Sequence, residues 1–474
     1  MFMERVSDLP LYHDDMLLVK VRTTAAPMMA AAAAMGEMLT VSPSSGLSAL
    51  SIYERAGLIK RVIPLARPAA ARAREAAAPM AAMAGITATA VSFVEDDPAP
   101  NAGVAMIELH HGTAVRDLQL ALAQDASVEY VAPVPVRYLV ARRRASAGAT
   151  GTASTPPAGD GFWNLKKISW NEARAAGFVS AEDVRVGILD TGVDFNHPDL
   201  PTPRSYLYDY HIPGGATSDR DIVGHGTHVM GTICARINNN TGVNGICAAT
   251  PACYKIFGDQ VKYITARNYF AFLVDPVLYH AALAECVEEK EQVVNLSIGG
   301  YGTPDPQELK LFQELIDNGC TVVAAMGNDN TTTSSYPAAI PGVVAVGATS
   351  YDDSRASFSN SGGHISLSAP GVGIWSTLPT YAGRTGNHAA LSSSGLPTPG
   401  APMARETDYA AWQGTSMAAP HVAAAAALLI ARYGPLSPAE VRDRLMGATD
   451  RVPGMGASLF TAEHGAGRLN LSKL

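Results

Sequence analysis

Short apolar runs recur through the second half of the chain, and each run is apolar on both faces. VRVGILD, QVVNLSIGG, TVVAAMGN and GVVAVGATS are rich in β-branched residues and are separated by helical segments. Strands with two apolar faces are typical of a parallel sheet that lies between two layers of helices. The pattern therefore predicts an α/β fold with a doubly wound, mostly parallel sheet. Because the loops after the carboxyl ends of such strands build the active site, we expect the chemistry there.

The first half has a different pattern, with isolated strands around one amphipathic helix. Met16–Val21 and the run VEYVAPVPVRYLV are strand-like, and Thr113–Gln124 carries leucines at helical spacing. The segment RASAGATGTASTPPAGDG, residues 144–161, is small and polar with paired prolines, which is typical of a linker. We therefore predict a small α+β domain at residues 1–143, a linker at 144–161 and an α/β domain at 162–474.

The composition is that of a soluble globular protein. Of the 474 residues, 47% are hydrophobic and 16% are charged, so the chain has enough apolar residues for a packed core. The formal net charge of −8 argues against a nucleic-acid partner, because phosphate binding needs clustered lysine and arginine. We expect a monomer that binds no nucleic acid.

The N-terminus carries no pattern typical of export. MFMERVSDLPLYHDD has acidic residues where a secretory signal would have a basic patch followed by an apolar run. The apolar stretches at 25–35 and 422–430 are too short or too alanine-rich to span a bilayer. We therefore expect no signal peptide and no membrane anchor, which favours a cytoplasmic or unconventionally exported protein.

The five cysteines are an odd number, so at least one of them is unpaired within the chain. Cys247 and Cys253 are close enough in sequence to form a disulfide. The alternative is that the cysteines are small buried apolar residues, as is common in large chains. The sequence leaves both alternatives open.

Three segments of the second half each present one residue suited to catalysis. VRVGILD ends in Asp190, where a buried carboxylate must be hydrogen-bonded. DIVGHGTHVMGTICA puts His225 between two glycines at the start of a helix, and His228, one turn on, is predicted to be structural. QGTSMAAPHVAAAAALLIARYG puts Ser416 at the N-terminus of a buried helix, where a backbone N–H can stabilise a developing oxyanion. A lone Asp, His or Ser is usually structural, so the prediction depends on their combination.

In order and in wording, these segments resemble the signature segments of the subtilisin family. DTGVDFNHPDL, GHGTHVMGTI and GTSMAAPHVA are similar to the three signatures, and the similarity runs from about Trp163 to Leu469. The resemblance implies a serine endopeptidase that hydrolyses polypeptide substrates through an acyl-enzyme intermediate. Ser416 would attack the scissile carbonyl, His225 would transfer the proton, and Asp190 would fix the imidazole tautomer.

Two further segments resemble the elements of that family that bind the oxyanion and the substrate. VVAAMGNDN is similar to the oxyanion segment, which implies that Asn328 donates through its side chain; the alternative is a turn residue after Gly327. NLSIGG is similar to the segment that lines the peptide cleft, which implies that Ser297, Ile298 and Gly299 offer backbone groups. The alternative for these three residues is a buried strand end.

The specificity pocket and the rim of the cleft differ from the family pattern. YPAAIPG, which begins at Tyr336, is similar to the base of the primary specificity pocket, and Ser335 stands at a position that is often glycine. This difference would narrow the pocket slightly. Residues 259–276 and 380–408 are longer than the matching segments of simple subtilisins, and we expect both to reshape the rim.

RINNNTGVNGI resembles the strong calcium loop of the family. A hard cation prefers carboxylate, amide and carbonyl oxygens on a tight loop. The resemblance implies a structural calcium ion held by the Asn239 side chain, the carbonyls of Ile237, Thr241 and Val243, and Asp199 from the HPDL segment. The alternative is an asparagine-rich turn that needs no metal.

The N-terminal half resembles the inhibitor-type propeptides of the family, mainly in VEYVAPV and the helix before it. The resemblance implies a zymogen whose own propeptide assists folding, blocks the cleft and is cut away by the enzyme itself in the exposed linker.

Other classes of function fit the sequence less well. A binding or chaperone-like protein would be favoured by the loss of a catalytic residue, and all are present. The segment Gly414-Thr415-Ser416-Met417-Ala418 lacks the second glycine of a lipase nucleophile elbow. A carboxyl protease of related fold would have glutamate in place of His225. The family is mostly secreted, which the N-terminus does not reflect.

Overall fold

The computed structural model describes residues 10–22, 53, 55–65, 101, 103–139, 142–143, 162–178, 180–206, 220–264 and 268–474. The predicted linker at 144–161 lies outside the described residues. The helices are α1 (Val115–Leu122), α2 (Trp163–Lys167), α3 (Trp170–Ala175), α4 (His225–Cys234), α5 (Pro276–Glu288), α6 (Pro306–Asp317), α7 (Thr415–Tyr433) and α8 (Pro438–Gly447), with short 3-10 helices at Pro453–Met455 and Leu471–Lys473.

The strands of the first half are β1 (Tyr12–Val21), β2 (Ile59–Pro64), β3 (Val104–Leu109), β4 (Val128–Pro135), β5 (Tyr138–Leu139) and β6 (Arg142–Arg143). Those of the second half are β7 (Ser180–Asp190), β8 (Arg204–Tyr206), β9 (Ala248–Lys255), β10 (Phe257–Ile264), β11 (Tyr269–Val274), β12 (Val293–Leu296), β13 (Ile298–Gly299), β14 (Thr321–Ala325), β15 (Val344–Thr349), β16 (Leu367–Pro370), β17 (Ile374–Thr377), β18 (Arg384–Leu391), β19 (Pro397–Ala404), β20 (Tyr409–Gln413), β21 (Thr449–Asp450) and β22 (Arg468–Leu469).

The central sheet has nine strands in the order β21-β22-β16-β15-β14-β12-β7-β9-β8. All of its pairings are parallel except the one between β21 and β22 at one edge. The four apolar runs of the sequence form β7, β12, β14 and β15, which are neighbours in this sheet. The predicted α/β fold with a mostly parallel sheet is confirmed.

Successive residues of the central strands pack into two different cores. Val293 and Val323 face the core that contains α4 and α7, whereas Val294 and Val322 face the core that contains α5 and α6. Because side chains alternate along a strand, both layers of helices are covered by the same short apolar runs. This is why those runs have no polar face.

The first half contains a four-stranded antiparallel sheet in the order β2-β3-β1-β4. One face packs against α1 through Leu17 and Leu118, and the other face meets the beginning of α5 through Leu18 and Val277. The strand and helix of this half are where the apolar pattern predicts them, and the sheet covers the start of α5.

Residues 259–276 and 380–408 extend a third sheet, whose strand order is β13-β5-β11-β18-β19 with β10 paired to β11. Strands β11 and β18 pair antiparallel, with Tyr269 opposite His388. The two long segments therefore pair with each other in one sheet. That sheet also contains β5 from the first half of the chain and β13 from the second half.

All five cysteines are buried and none forms a disulfide: Cys234, Cys247, Cys253, Cys286 and Cys320. Burial raises the pKa of the Cys247 thiol to about 12, and it raises the pKa values of the other four thiols well above the ordinary value. The alternative of small buried residues therefore describes the cysteines, and Cys247 does not pair with Cys253.

Helix α7 is the central helix of the molecule. By length and composition it is apolar enough to cross a membrane, but 89% of its apolar window is buried inside the protein. Its His421 is fully buried; the ring pairs through Nδ1 with the Met417 carbonyl (2.8 Å) and through Nε2 with the Asn164 amide nitrogen (2.9 Å). The neutral tautomer with the proton on Nδ1 satisfies both contacts, and burial lowers the pKa of His421 to about 4.

We expect His421 to make stability fall with acidification. The unfolded chain takes up this proton near the ordinary histidine pKa of about 6.5, so stability is present above that value and is lost as pH falls toward about 4. One such group contributes up to about 1.4 kcal/mol per pH unit. The test is denaturant unfolding from pH 7.5 to 4.5 in a Ser416→Ala background. The free energy of unfolding should depend less steeply on pH in His421→Gln than in the protein that retains His421. The exposed His388→Gln serves as control, and equal slopes for the two variants would contradict this role.

Candidate active site

Asp190 and His225 are in direct contact at the carboxyl end of the central sheet. Asp190 ends β7, His225 begins α4, and both are fully buried. His225 Nδ1 lies 2.7 Å and 2.9 Å from the two carboxylate oxygens of Asp190. His225 Nε2 is buried and has no hydrogen-bond partner among the described residues. The imidazole is therefore oriented with one nitrogen on an acid and the other available to a further group.

Gly226 explains why the helix can begin so close to β7. A Cβ atom at this position would lie 2.1 Å from the Gly192 carbonyl oxygen and 3.1 Å from the Asp190 Cβ. Any larger residue would push the first turn of α4 away from the strand end. The close approach that joins His225 to Asp190 therefore needs glycine here.

Asp221 organises the loop before His225, and the sequence pattern did not reveal it. Its fully buried carboxylate accepts hydrogen bonds from the Thr191 hydroxyl (2.7 Å), the Gly224 N–H (2.7 Å), and the N–H (2.9 Å) and hydroxyl (2.7 Å) of Thr227. The Thr191 hydroxyl also accepts from the Gly226 N–H at 2.9 Å. One carboxylate thus ties the loop after β7 to the first turn of α4.

His228 lies one turn beyond His225 and is held as a neutral group. Its Nε2 donates to the Ile374 carbonyl (3.0 Å), and its ring stacks on Trp412 with centroids 5.3 Å apart. Burial, reinforced by His225, lowers the pKa of His228 to about 3. These contacts are those of a structural residue, as expected from the sequence.

Ser416 lies at the first turn of α7, which packs against both β7 and α4. Its hydroxyl donates to the Ser297 carbonyl oxygen at 2.9 Å, and the Ser297 hydroxyl donates to the Ser416 carbonyl at 3.0 Å. Ser297 therefore contacts Ser416 through both its backbone and its side chain. In this arrangement the Ser416 hydroxyl is bonded to Ser297 and not to His225.

Asn328 follows β14 and lies beside the same helix start. Its Oδ1 accepts from the N–H (2.9 Å) and the hydroxyl (3.0 Å) of Thr415. The Thr415 contacts fix the oxygen end of the amide, so its NH₂ end points away from Thr415. Thr415, whose role is not apparent from the sequence, thus sets the orientation of Asn328.

The backbone of Ile298 and Gly299 is paired with a strand from the first half of the chain. Strand β5 runs antiparallel to β13, with Leu139 opposite Ile298 and Tyr138 opposite Gly299. On its other side β5 pairs with β11, with Tyr138 opposite Leu273. An extended chain therefore lies between two sheet edges beside Ser416, which is the arrangement of a peptide-binding cleft.

Ser335 is buried close to Gly327, which follows β14. It is 2% exposed, and its Oγ would be 3.5 Å from a Cβ at Gly327. The next residue, Tyr336, donates its N–H to the Gly300 carbonyl at 2.8 Å. Ser335 thus lies between Gly327, which precedes Asn328, and the end of β13.

Four of the five residues assigned to calcium lie in the loop after α4, and the fifth, Asp199, contacts that loop from the segment after β7. The buried Asp199 carboxylate accepts from the Asn239 side-chain amide (2.7 Å) and the Val243 N–H (2.9 Å), and Asn239 Oδ1 accepts from the Thr241 N–H (3.0 Å). Within the described part of the chain, no group of three or more His, Cys, Asp or Glu is suited to a metal. The donor set is thus one carboxylate, one amide and loop carbonyls such as that of Ile237, and this oxygen chemistry fits a hard cation.

A buried acid–imidazole pair and a serine at the start of the central helix, on a doubly wound parallel sheet, are the arrangement of a serine hydrolase. A model of the Subtilase family matches residues 181–467, which is more than half of the chain. The chain belongs to the subtilase family and is a serine endopeptidase.

Individual relatives agree with this assignment. Subtilisin from Bacillus pumilus is 32% identical over 313 residues, which are 65% of this chain and 96% of that protein. Subtilisin E from Bacillus subtilis (strain 168) is 32% identical over 287 residues, which are 60% of this chain and 64% of that protein. The structure of fervidolysin from Fervidobacterium pennivorans, a keratinolytic enzyme related to subtilisin, has a TM-score of 0.62 at 22% identity, covering 98% of this chain and 61% of that chain. That last likeness supports the fold alone.

We expect Asp221→Asn to impair catalysis without changing any group that reacts. The new NH₂ would meet N–H and O–H donors, so the first turn of α4 would shift. Misplacing His225 should lower kcat about 10- to 100-fold, and the lost buried hydrogen bonds should lower the free energy of unfolding by about 1–3 kcal/mol. Steady-state kinetics and denaturant unfolding test this against the exposed Asp183→Asn. Unchanged kcat in Asp221→Asn would contradict the role.

Proposed function

We propose that Asp190, His225 and Ser416 form the catalytic triad of this endopeptidase, with Asn328 as oxyanion donor. The main support for this proposal is the bonding of the His225 ring. Its Nδ1 is hydrogen-bonded to Asp190, while its Nε2 has no hydrogen-bond partner among the described residues. The Ser416 hydroxyl, which donates to the Ser297 carbonyl in the resting structure, would turn to His225 Nε2 before it reacts. Ser416 then attacks the scissile carbonyl while His225 accepts its proton and passes it to the leaving amine.

The oxyanion of the tetrahedral intermediate needs donors placed before the reaction. The Ser416 N–H lies at the beginning of α7, where the helix dipole favours negative charge. The Asn328 amide supplies the second donor, and the Thr415 contacts keep its oxygen turned away from the oxyanion. Electrostatic stabilisation of this kind is usually the largest single contribution to such a reaction.

We expect Ser416→Ala to abolish peptide hydrolysis. A serine-directed phosphonylating reagent should label the parent protein at Ser416, as located by mass spectrometry, because only an activated hydroxyl reacts. Ser394→Ala, at an exposed serine, serves as control and should retain both labelling and activity. Labelling at another serine, or full activity in Ser416→Ala, would contradict the proposed triad.

We also propose that the first half of the chain is a propeptide that the enzyme removes. The support is β5, which occupies the cleft between β13 and β11, and β6, which pairs with β20 just before Ser416. A chain held on both sides of the nucleophile favours a cut between Leu139 and Arg142, slightly before the linker at 144–161. The same segment would block the cleft until it dissociates.

We expect Ser416→Ala to remain full-length when the parent protein is processed. Electrophoresis and N-terminal sequencing of purified proteins measure this, and the parent should start within the few residues after Leu139. Normally cut Ser416→Ala in a pure preparation would refute self-processing.

Calcium is proposed as a structural ion at the loop of Asp199 and Asn239. Binding requires the Asn239 amide to turn so that its oxygen, and not its nitrogen, faces the site. The ion would neutralise the buried Asp199 carboxylate and fix the loop that follows α4.

Calcium should therefore raise Tm, and a chelator should lower it. At free calcium about 100-fold above Kd, the stabilisation is about 2.7 kcal/mol. Thermal unfolding of Ser416→Ala with calcium, magnesium or EDTA measures this effect, with magnesium as the control cation. An identical Tm in all three would favour a hydrogen-bonded loop without metal.

A further inference from the structure

Arg137, between β4 and β5, is 1% exposed, and all three nitrogens of its guanidinium group donate hydrogen bonds to the second half of the chain. Its Nη2 donates to Glu308 Oε2 at 2.7 Å, its Nε to Glu308 Oε1 at 3.3 Å, and its Nη1 to the Gly302 carbonyl at 2.9 Å. Two parallel bonds to one carboxylate are the arrangement that the guanidinium fork favours. Gly302 and the first turn of α6 thus form a pocket shaped around an arginine.

The charges around this pocket leave Glu308 dependent on Arg137. The neighbouring acid, Asp305, lies 3.1 Å from His280 Nε2 and accepts the first N–H groups of α6. Although burial alone would lower the pKa of His280, Asp305 and, to a smaller extent, Glu308 raise it. Tyr279 donates its hydroxyl to Glu308 at 3.0 Å but carries no positive charge. Arg137 is therefore the cation that is hydrogen-bonded to the buried Glu308 carboxylate, and His280 acts on it only through space.

The strand register relates this pocket to the reacting serine. Tyr138 lies opposite Gly299 and Leu139 opposite Ile298, while the Arg137 carbonyl accepts the Val274 N–H at 3.2 Å. In a substrate held in the same register, one residue lies opposite Ile298. The next substrate residue toward the C-terminus then lies opposite Ser297. Because the Ser297 carbonyl contacts the Ser416 hydroxyl, that residue precedes the cut bond. The arginine position is then the fourth residue before the cut.

We propose that Glu308, with Tyr279 and the Gly302 carbonyl, selects substrates with arginine as the fourth residue before the cut. This inference rests on the proposed role of Ser416. Once residues 137–139 leave the cleft, the pocket is vacated and Glu308 faces it. A substrate arginine restores the bidentate pair, lysine offers one charged group without the fork, and an apolar residue leaves a buried carboxylate unpaired. Glutamate in the substrate adds like charge.

Peptide kinetics with the mature enzyme test this directly. The probes are internally quenched peptides that carry X-Tyr-Leu-Val before the cut, with X as arginine, lysine, leucine or glutamate. We expect kcat/KM to fall in that order, with arginine at least about tenfold above leucine. Equal kcat/KM for arginine and leucine would overturn the proposal, because the Arg137–Glu308 pair would then only anchor the first half of the chain.

Variants of Glu308 assign the preference to this residue. Glu308→Leu should lower the arginine-to-leucine ratio of kcat/KM to about 1 or below, and Glu308→Gln should give an intermediate ratio. Glu314→Gln on the same helix, where Glu314 contacts Lys310 at 3.2 Å, is the matched control and should keep the parent ratio. An unchanged ratio in Glu308→Leu would overturn the role of Glu308.

Folding and chemistry are separated by two further measurements. Glu308→Leu removes the carboxylate that pairs with Arg137 before processing, and the single variant can therefore fail to fold. In that case the double variant Arg137→Leu/Glu308→Leu supplies the enzyme, and its thermal unfolding transition shows whether it is folded. The double variant should show the same loss of arginine preference once mature, and retention of the preference would overturn the proposal. Loss of hydrolysis of all peptides, with no phosphonylation of Ser416 in the parent, would instead reject the proposed triad.

Discussion

The contact between Asp190 and His225 depends on two buried carboxylates, Asp190 and Asp221, which both accept hydrogen bonds from Thr191. Asp190 accepts from His225 and the Thr191 N–H, while Asp221 accepts four donors from the two segments that flank the pair. A buried carboxylate without such partners would cost several kcal/mol. The hydrogen bonds that stabilise the buried Asp221 carboxylate therefore also hold the His225 imidazole in one orientation. Arg405 supports the loop from outside, donating to the Ile222 and Asp221 carbonyls.

The sequence predicted those features that repeat along the chain or that depend on short segments. The four central strands were recognisable because both of their faces are buried, and the helix of Ser416 because it is apolar all round. Asp221 was missed because a single aspartate in a loop carries no pattern. The Arg137–Glu308 pair joins residues 171 positions apart and exists only through the register of β5 on β13. The roles of the predicted site residues stay predictions, although the structure brings Asp190 to His225 and Ser416 to Ser297.

The first half of the chain is bound to the second by strand completion as well as by side chains. Strand β5 fills a gap in a sheet whose other members come from the second half, so its removal would leave two edges with unsatisfied backbone groups. Only an extended polypeptide can satisfy both edges at once, because each edge bonds to one side of the same backbone. The two long segments at 259–276 and 380–408 enlarge that sheet, and they join β11 to further strands on the side away from β13.

The five cysteines have a consequence for how this molecule can be observed. Each thiol is buried and its pKa is raised, so the reactive thiolate is scarce in the native state. No disulfide contributes to the fold, and reducing agents therefore remove nothing from it. An alkylating reagent modifies molecules only after their core has opened. The rate of cysteine alkylation thus reports the opening of the interior directly, without any introduced probe, and the particular cysteine modified identifies the layer that opened.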